Sequence, residues 1–125
     1  MRVWAVTRDS GVLDLLHTAV RMRWPTSGSL IVPEDLANEI PVDAGCDLAI
    51  VDINIDHIDV GELIQAIRNH SDVPLLVLSN SKGDQTITAR ALANGADDYI
   101  FKPIEVIDLI FHMEAAAGGR HVTQS

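Results

Sequence analysis

Short apolar runs alternate along the chain with longer stretches of helical period, a pattern that predicts a parallel sheet covered by helices on both faces. Five such units can be counted. Residues 3–6 read as a first strand, and Asp9 or Ser10 caps a helix whose apolar side is Val12, Leu13, Leu15, Leu16, Ala19 and Val20, stopped by Pro25. Residues 29–32 form a weaker second strand, and Pro33 opens a short helix over 34–39 that Pro41 closes. Leu48, Ala49, Ile50 and Val51 make a continuous apolar run, as in a central strand buried on both faces, and an amphipathic helix follows over residues 61–69. Residues 75–78 repeat the strand pattern and lead through the polar stretch 79–84 into a helix over 85–94 ended by Gly95. Residues 98–101 are a last short strand, Lys102-Pro103 a turn, and 104–117 a final helix that Gly118-Gly119 is expected to end.

Open parallel sheets bind and react at the carboxyl ends of their strands, where the loops converge. Reading those ends in order gives Thr7, Arg8 and Asp9, then Asp52, then Ser79, then Lys102. A carboxylate, a hydroxyl and an amine are therefore expected to meet. Other chemistries lack their signatures. His17, His57, His70, His112 and His121 never stand at ligand spacing, which predicts surface histidines and no metal site built on them. No G-x-S-x-G elbow and no glycine-rich nucleotide loop is present.

Composition narrows the field further. The 125 residues suit one domain, and 47% apolar with 22% charged residues suits a folded globular chain. A formal charge of −9 disfavours contact with nucleic acid or anionic lipid. The single cysteine, Cys46, forms no internal disulfide and reads as a packing residue. No apolar run is long enough to span a bilayer, and the start of the chain does not resemble a secretory signal, so a cytoplasmic location is expected.

The stretches Asp47-Leu-Ala-Ile-Val-Asp52-Ile-Asn54, Val73-Pro-Leu-Leu-Val-Leu-Ser79 and Gly95-Ala-Asp-Asp-Tyr99-Ile-Phe-Lys102-Pro103 resemble the receiver domain of two-component response regulators. The resemblance covers residues 2–117, so that 1–117 is expected to be the receiver and 118–125 a tail or the start of a linker. It implies a flavodoxin-like α/β fold: a doubly wound, five-stranded parallel sheet of order 2-1-3-4-5 with five helices. It also implies that Asp52 is the phospho-acceptor, that Ser79 hydrogen-bonds the phosphoryl group, that Lys102 pairs with it, and that Tyr99 is an aromatic switch. The Lys102-Pro103 bond is expected to be cis. Cobalamin-binding domains share the strand order, but their D-x-H-x-x-G loop needs an acid two residues before His57, where Ile55 stands.

The sequence departs from this family at the first strand. Receivers end that strand with an acidic pair that holds Mg²⁺; here Thr7 and Arg8 stand at those positions. Mg²⁺ takes oxygen ligands in near-octahedral geometry, and a guanidinium offers a charge without an acceptor. Two arrangements follow. In one, Arg8 takes the place of the ion and pairs with Asp52, so that Asp9, Asp52, Arg8 and Lys102 sum to zero charge; in the other, Arg8 points to solvent. No cofactor is expected. Mg²⁺ enters only in an alternative reading, an ordinary phospho-switch in which Asp9 replaces the lost ligand beside Asp52 and the Asn54 carbonyl.

These residues predict an atypical receiver, not an enzyme, that acts as an interaction module with impaired Mg²⁺-dependent phosphorylation. The implied partner is a sensor histidine kinase or another signalling protein. A small enzyme using Asp52 and Lys102 as an acid–base pair is a competing reading without a sequence-level substrate pocket. On the last helix Val106, Leu109, Ile110, Met113 and Ala117 share the face expected to cover the sheet. Ile104, Ile107 and Phe111 lie on an adjacent flank, which resembles the surface many receivers use to dimerise.

Overall fold

The structure, a computed structural model, describes residues 1–33, 46–53, 59–79 and 85–124. Five strands, β1 (Arg2–Val6), β2 (Ser29–Ile31), β3 (Leu48–Asp52), β4 (Leu75–Ser79) and β5 (Asp98–Phe101), form one parallel sheet of order β2-β1-β3-β4-β5. Helices α1 (Ser10–Arg23), α2 (Val60–His70), α3 (Gln85–Ala93) and α4 (Val106–Gln124) connect or follow the strands. This is the expected doubly wound flavodoxin-like fold. Four of the five expected helices are seen among the described residues; the one expected over 34–39 lies outside them, as do Pro41, Asn54, His57 and Ser81.

Successive strand residues point to opposite faces, and that alternation divides the core in two. Trp4, Val6, Ala49, Val51, Leu75 and Val77 face α2, where Val60, Leu63, Ile64 and Ile67 cover them. Val3, Ala5, Leu48, Ile50, Leu76 and Leu78 face the opposite layer, formed by Val12, Leu16, Ala19 and Val20 of α1 and by Leu109 and Met113 of α4. Strands covered on both sides need no polar face, which is why β3 and β4 are apolar until their last residue. Cys46 packs half-buried against the α2 side. Among the described residues no helix is long and apolar enough to cross a membrane.

Side chains fix where the helices begin. Asp9 is the cap of α1, its Oδ1 accepting from the amides of Gly11 and Val12 at 2.9 and 3.3 Å, and Asp59 does the same for α2 through Glu62 N. Gly95 ends α3 with φ +120°, a conformation that a side chain would strain. The end of α4 differs from expectation. Gly118-Gly119 does not stop it, and the helix continues to Gln124. Glycine weakens a helix without forbidding one, and Gly118 takes no left-handed turn.

Candidate functional site

The strand order reverses direction between β1 and β3, so the crevice of this sheet opens at their carboxyl ends. Asp52 is the last residue of β3 and is paired in register with Leu78, which brings it beside the end of β4. Its side chain is only 1% exposed. A buried carboxylate must be matched by donors, and this one is. Lys102 Nζ lies 3.1 Å from Oδ1 and 2.9 Å from Oδ2, and Thr7 Oγ1 donates to Oδ2 at 2.8 Å. Thr7 is itself buried and accepts the Asp9 amide at 3.1 Å, so the chain leaving β1 is tied to the carboxylate it serves.

Asp9 stands at the rim. While Oδ1 caps α1, its Oδ2 lies 3.7 Å from Lys102 Nζ. Two carboxylates therefore share one ammonium, leaving a local charge of −1. Arg8 is not part of this group. It is exposed, and no hydrogen bond or ion pair joins it to a described residue, so the arrangement in which it fills the ion's place and pairs with Asp52 is not the one adopted. The reason is backbone geometry. With Thr7 turned inward on an extended segment, the next side chain points the other way and Asp9 comes back toward the crevice.

Ser79, fully buried at the end of β4, accepts the Lys102 amide through its carbonyl at 2.8 Å. Its hydroxyl lies 2.7 Å from that of Thr88 on α3. The Lys102-Pro103 peptide is cis. Tyr99 is on the outer side of β5, 36% exposed, its ring 5.0 Å from that of Phe101. Beside the ion pair lies a shallow cleft of about 270 Å³ bounded by Asp9, Val12, Leu15, Lys102 and Ile104.

Of the residues singled out in the sequence, Thr7, Asp9, Asp52 and Lys102 converge and Ser79 sits one strand away, joined through the Lys102 backbone. The three expected interface residues separate. Ile107 and Phe111 are 64% and 70% exposed, whereas Ile104 is half-buried and packs on the α1–α4 core, because it precedes the helix and fills the gap under its first turn. His112 is no simple surface histidine either: its Nδ1 meets Asp98 Oδ2 at 2.8 Å, tying α4 to β5. Sequence reasoning missed Thr88 and Phe101. Thr88 stands three residues before Ala91, a spacing that marks one helix face, and Phe101 shares with Tyr99 the two-residue period of one strand face.

The chain matches the family model described as "Response regulator receiver domain" over residues 9–114. Among curated proteins it is similar to "Heme response regulator HssR" of Staphylococcus aureus (strain JH9), 38% identical over 69 residues that make up 55% of this chain and 30% of that protein. The matched segment thus spans under a third of that relative's length. Two solved structures share the fold. A response regulator receiver domain protein from Clostridium thermocellum aligns with a TM-score of 0.80 at 14% identity, covering 98% of each chain. NtrX from Brucella abortus aligns with a TM-score of 0.81 at 20% identity, covering 98% of this chain and 28% of the other.

Proposed function

The chain belongs to the response regulator receiver domain family, and from that membership we propose that it is an atypical receiver: a protein-interaction module of two-component signalling whose Mg²⁺-dependent phosphorylation at Asp52 is impaired. The observation that carries this reading is the state of Asp52, which is buried with both oxygens held by Lys102 and Oδ2 held again by Thr7. An acceptor carboxylate has to reach phosphorus in line while the equatorial oxygens are neutralised, and much of that neutralisation is a metal's task. The donors near Asp52 do not suit Mg²⁺. A hydroxyl that already donates to Asp52 and an exposed guanidinium stand in place of the family's acidic pair, and the neighbouring carboxylate, Asp9, has one oxygen committed to capping α1. Lys102 instead supplies a built-in cation.

The partner would be a sensor histidine kinase or another signalling protein, meeting the module in the cytoplasm. The net charge of −9 argues against direct contact with nucleic acid. We further propose that a second copy of this chain docks on the flank of α4 that carries Ile107 and Phe111, the flank that resembles the dimer surface of many receivers, with the exposed Tyr99 and Phe101 of β5 as further apolar contacts.

One observation favours the conventional reading, in which Asp52 accepts a phosphoryl group and governs an output domain: Asp9 Oδ2 is turned toward Lys102, which places a second carboxylate oxygen beside the Asp52–Lys102 pair. A single assay separates the two. The protein is incubated with acetyl phosphate and Mg²⁺ and its intact mass recorded; the proposal expects no stoichiometric phosphoaspartate, and labelling that disappears in Asp52→Ala overturns it. Thr7→Asp with Arg8→Asp, which restores the acidic pair, is expected to gain Mg²⁺ affinity by calorimetry.

A further inference from the structure

The flank of α4 that carries Ile107 and Phe111 is rimmed by acids. Over residues 98–113 the chain has Asp98, Glu105 and Asp108 against two bases, Lys102 and His112, and Lys102 is committed in the crevice to Asp52 and Asp9. His112 is the base this stretch can offer to another molecule. Its side chain is 33% exposed, and its ring stands edge-on to that of Phe111 with the centres 6.1 Å apart. Nδ1 lies 2.8 Å from Asp98 Oδ2. An ionised carboxylate only accepts, so Nδ1 carries a proton in either charge state of the ring, and Nε2 is the nitrogen whose role changes. Among the described residues none meets Nε2.

The surroundings of the ring are anionic or apolar. Asp98 faces it from β5 and is held in place, since its Oδ1 accepts the Tyr99 amide at 2.8 Å. Asp108 stands one turn earlier on α4. From α1, Arg23 reaches α4 but is taken by Glu114, and β3 and β4 bring only Leu48, Ile50, Leu76 and Leu78 to this layer. With the ring neutral, Nε2 is an acceptor, and a second copy docking here sets three carboxylates against the same three. Protonation turns Nε2 into a donor and removes one unit of like charge from each side. We infer that His112 is the proton-operated contact of this flank: in a two-fold pairing each imidazolium faces the acids of the other copy, and the two copies bind more tightly when it is charged. The inference rests on the proposed docking of a second copy on this flank and adds the condition that governs it.

Sedimentation equilibrium of the 125-residue chain at one ionic strength tests this at about pH 6 and about pH 8, within the range where histidine changes charge and above that of carboxylates. The parent dimer is expected to be tighter at the lower pH by about tenfold for each hydrogen bond that becomes charge-assisted. His112→Gln keeps a donor for Asp98 and gains no charge, so its dissociation constant is expected to be the same at both pH values. His112→Arg is cationic throughout and is expected to bind at the higher pH as tightly as the parent does at the lower. His17, His57, His70 and His121 remain in both variants, so a general loss of negative charge would leave the pH response of His112→Gln in place. That result, or a parent dimer indifferent to pH, overturns the inference and leaves the docking on this flank standing. A parent that stays monomeric at both pH values, or a dimer that survives Ile107→Asp with Phe111→Asp, overturns the docking and the inference with it.

Discussion

At the scale of single residues, the ion pair of Asp52 and Lys102 is an arrangement in which neither partner is dispensable. Lys102 is 18% exposed and Asp52 1%. Charges removed from water to this degree gain stability only while matched, and deleting one leaves the other buried without compensation. Lys102→Ala is therefore expected to cost about 3 kcal/mol in urea unfolding, and Asp52→Asn in the same background to recover part of the loss, since the stranded carboxylate is then gone. A Lys102→Ala protein as stable as the parent would mean that Thr7 and the rest of the crevice solvate Asp52 unaided. The sequence made the membership of this group readable, because strand ends converge wherever a parallel sheet is open. Which cation would reach Asp52 was harder to read. Arg8 and Lys102 both stand within two residues of a strand end, and the choice between them rests on the inward turn of Thr7, a property of three consecutive side chains in one extended segment.

Elements were legible where a local rule specifies them. Asp9 and Asp59 sit where capping carboxylates belong, and the five expected strands formed within a residue of their expected bounds. The end of α4 was not legible, since two glycines lower helix stability without deciding where the last turn falls. Nor was the brace at the opposite end of the sheet. There Arg68 donates to the carbonyls of Gly95 and Val73 and pairs with Asp97, whose Oδ2 also accepts the Leu75 amide. No local pattern in the chain announces an arginine that bridges three segments. Gly95 belongs to that brace: a Cβ there would lie 2.9 Å from Arg68 Cγ, and its φ of +120° disfavours any L side chain. Gly95→Ala is expected to destabilise the fold by about 1–3 kcal/mol in urea, more than an exposed glycine at the end of a helix would. A change within error would show that the α3–β5 turn relaxes freely to another conformation.

For the molecule as a whole, the two-layered core explains why one flank is left apolar. Leu109 and Met113 already cover the sheet, so Ile107 and Phe111, at 64% and 70% exposure, add nothing to the fold they belong to. Tyr99 and Phe101 of the edge strand are exposed as well, at 36% and 38%, and large apolar side chains left outside the core are available for contact with another molecule. If that molecule is a second copy, two terms oppose each other. Burial of four large side chains per copy favours association, while a charge of −9 on each copy opposes it. Salt screens the second and leaves the first, with a Debye length falling from about 30 Å at 0.01 M to about 8 Å at 0.15 M. Sedimentation equilibrium is thus expected to show a dimer that tightens as salt rises, and Ile107→Asp with Phe111→Asp is expected to give a monomer at every ionic strength. Dimerisation that weakens with salt would instead point to an interface held by ion pairs, and dimers persisting in the double variant would place the contact on another face.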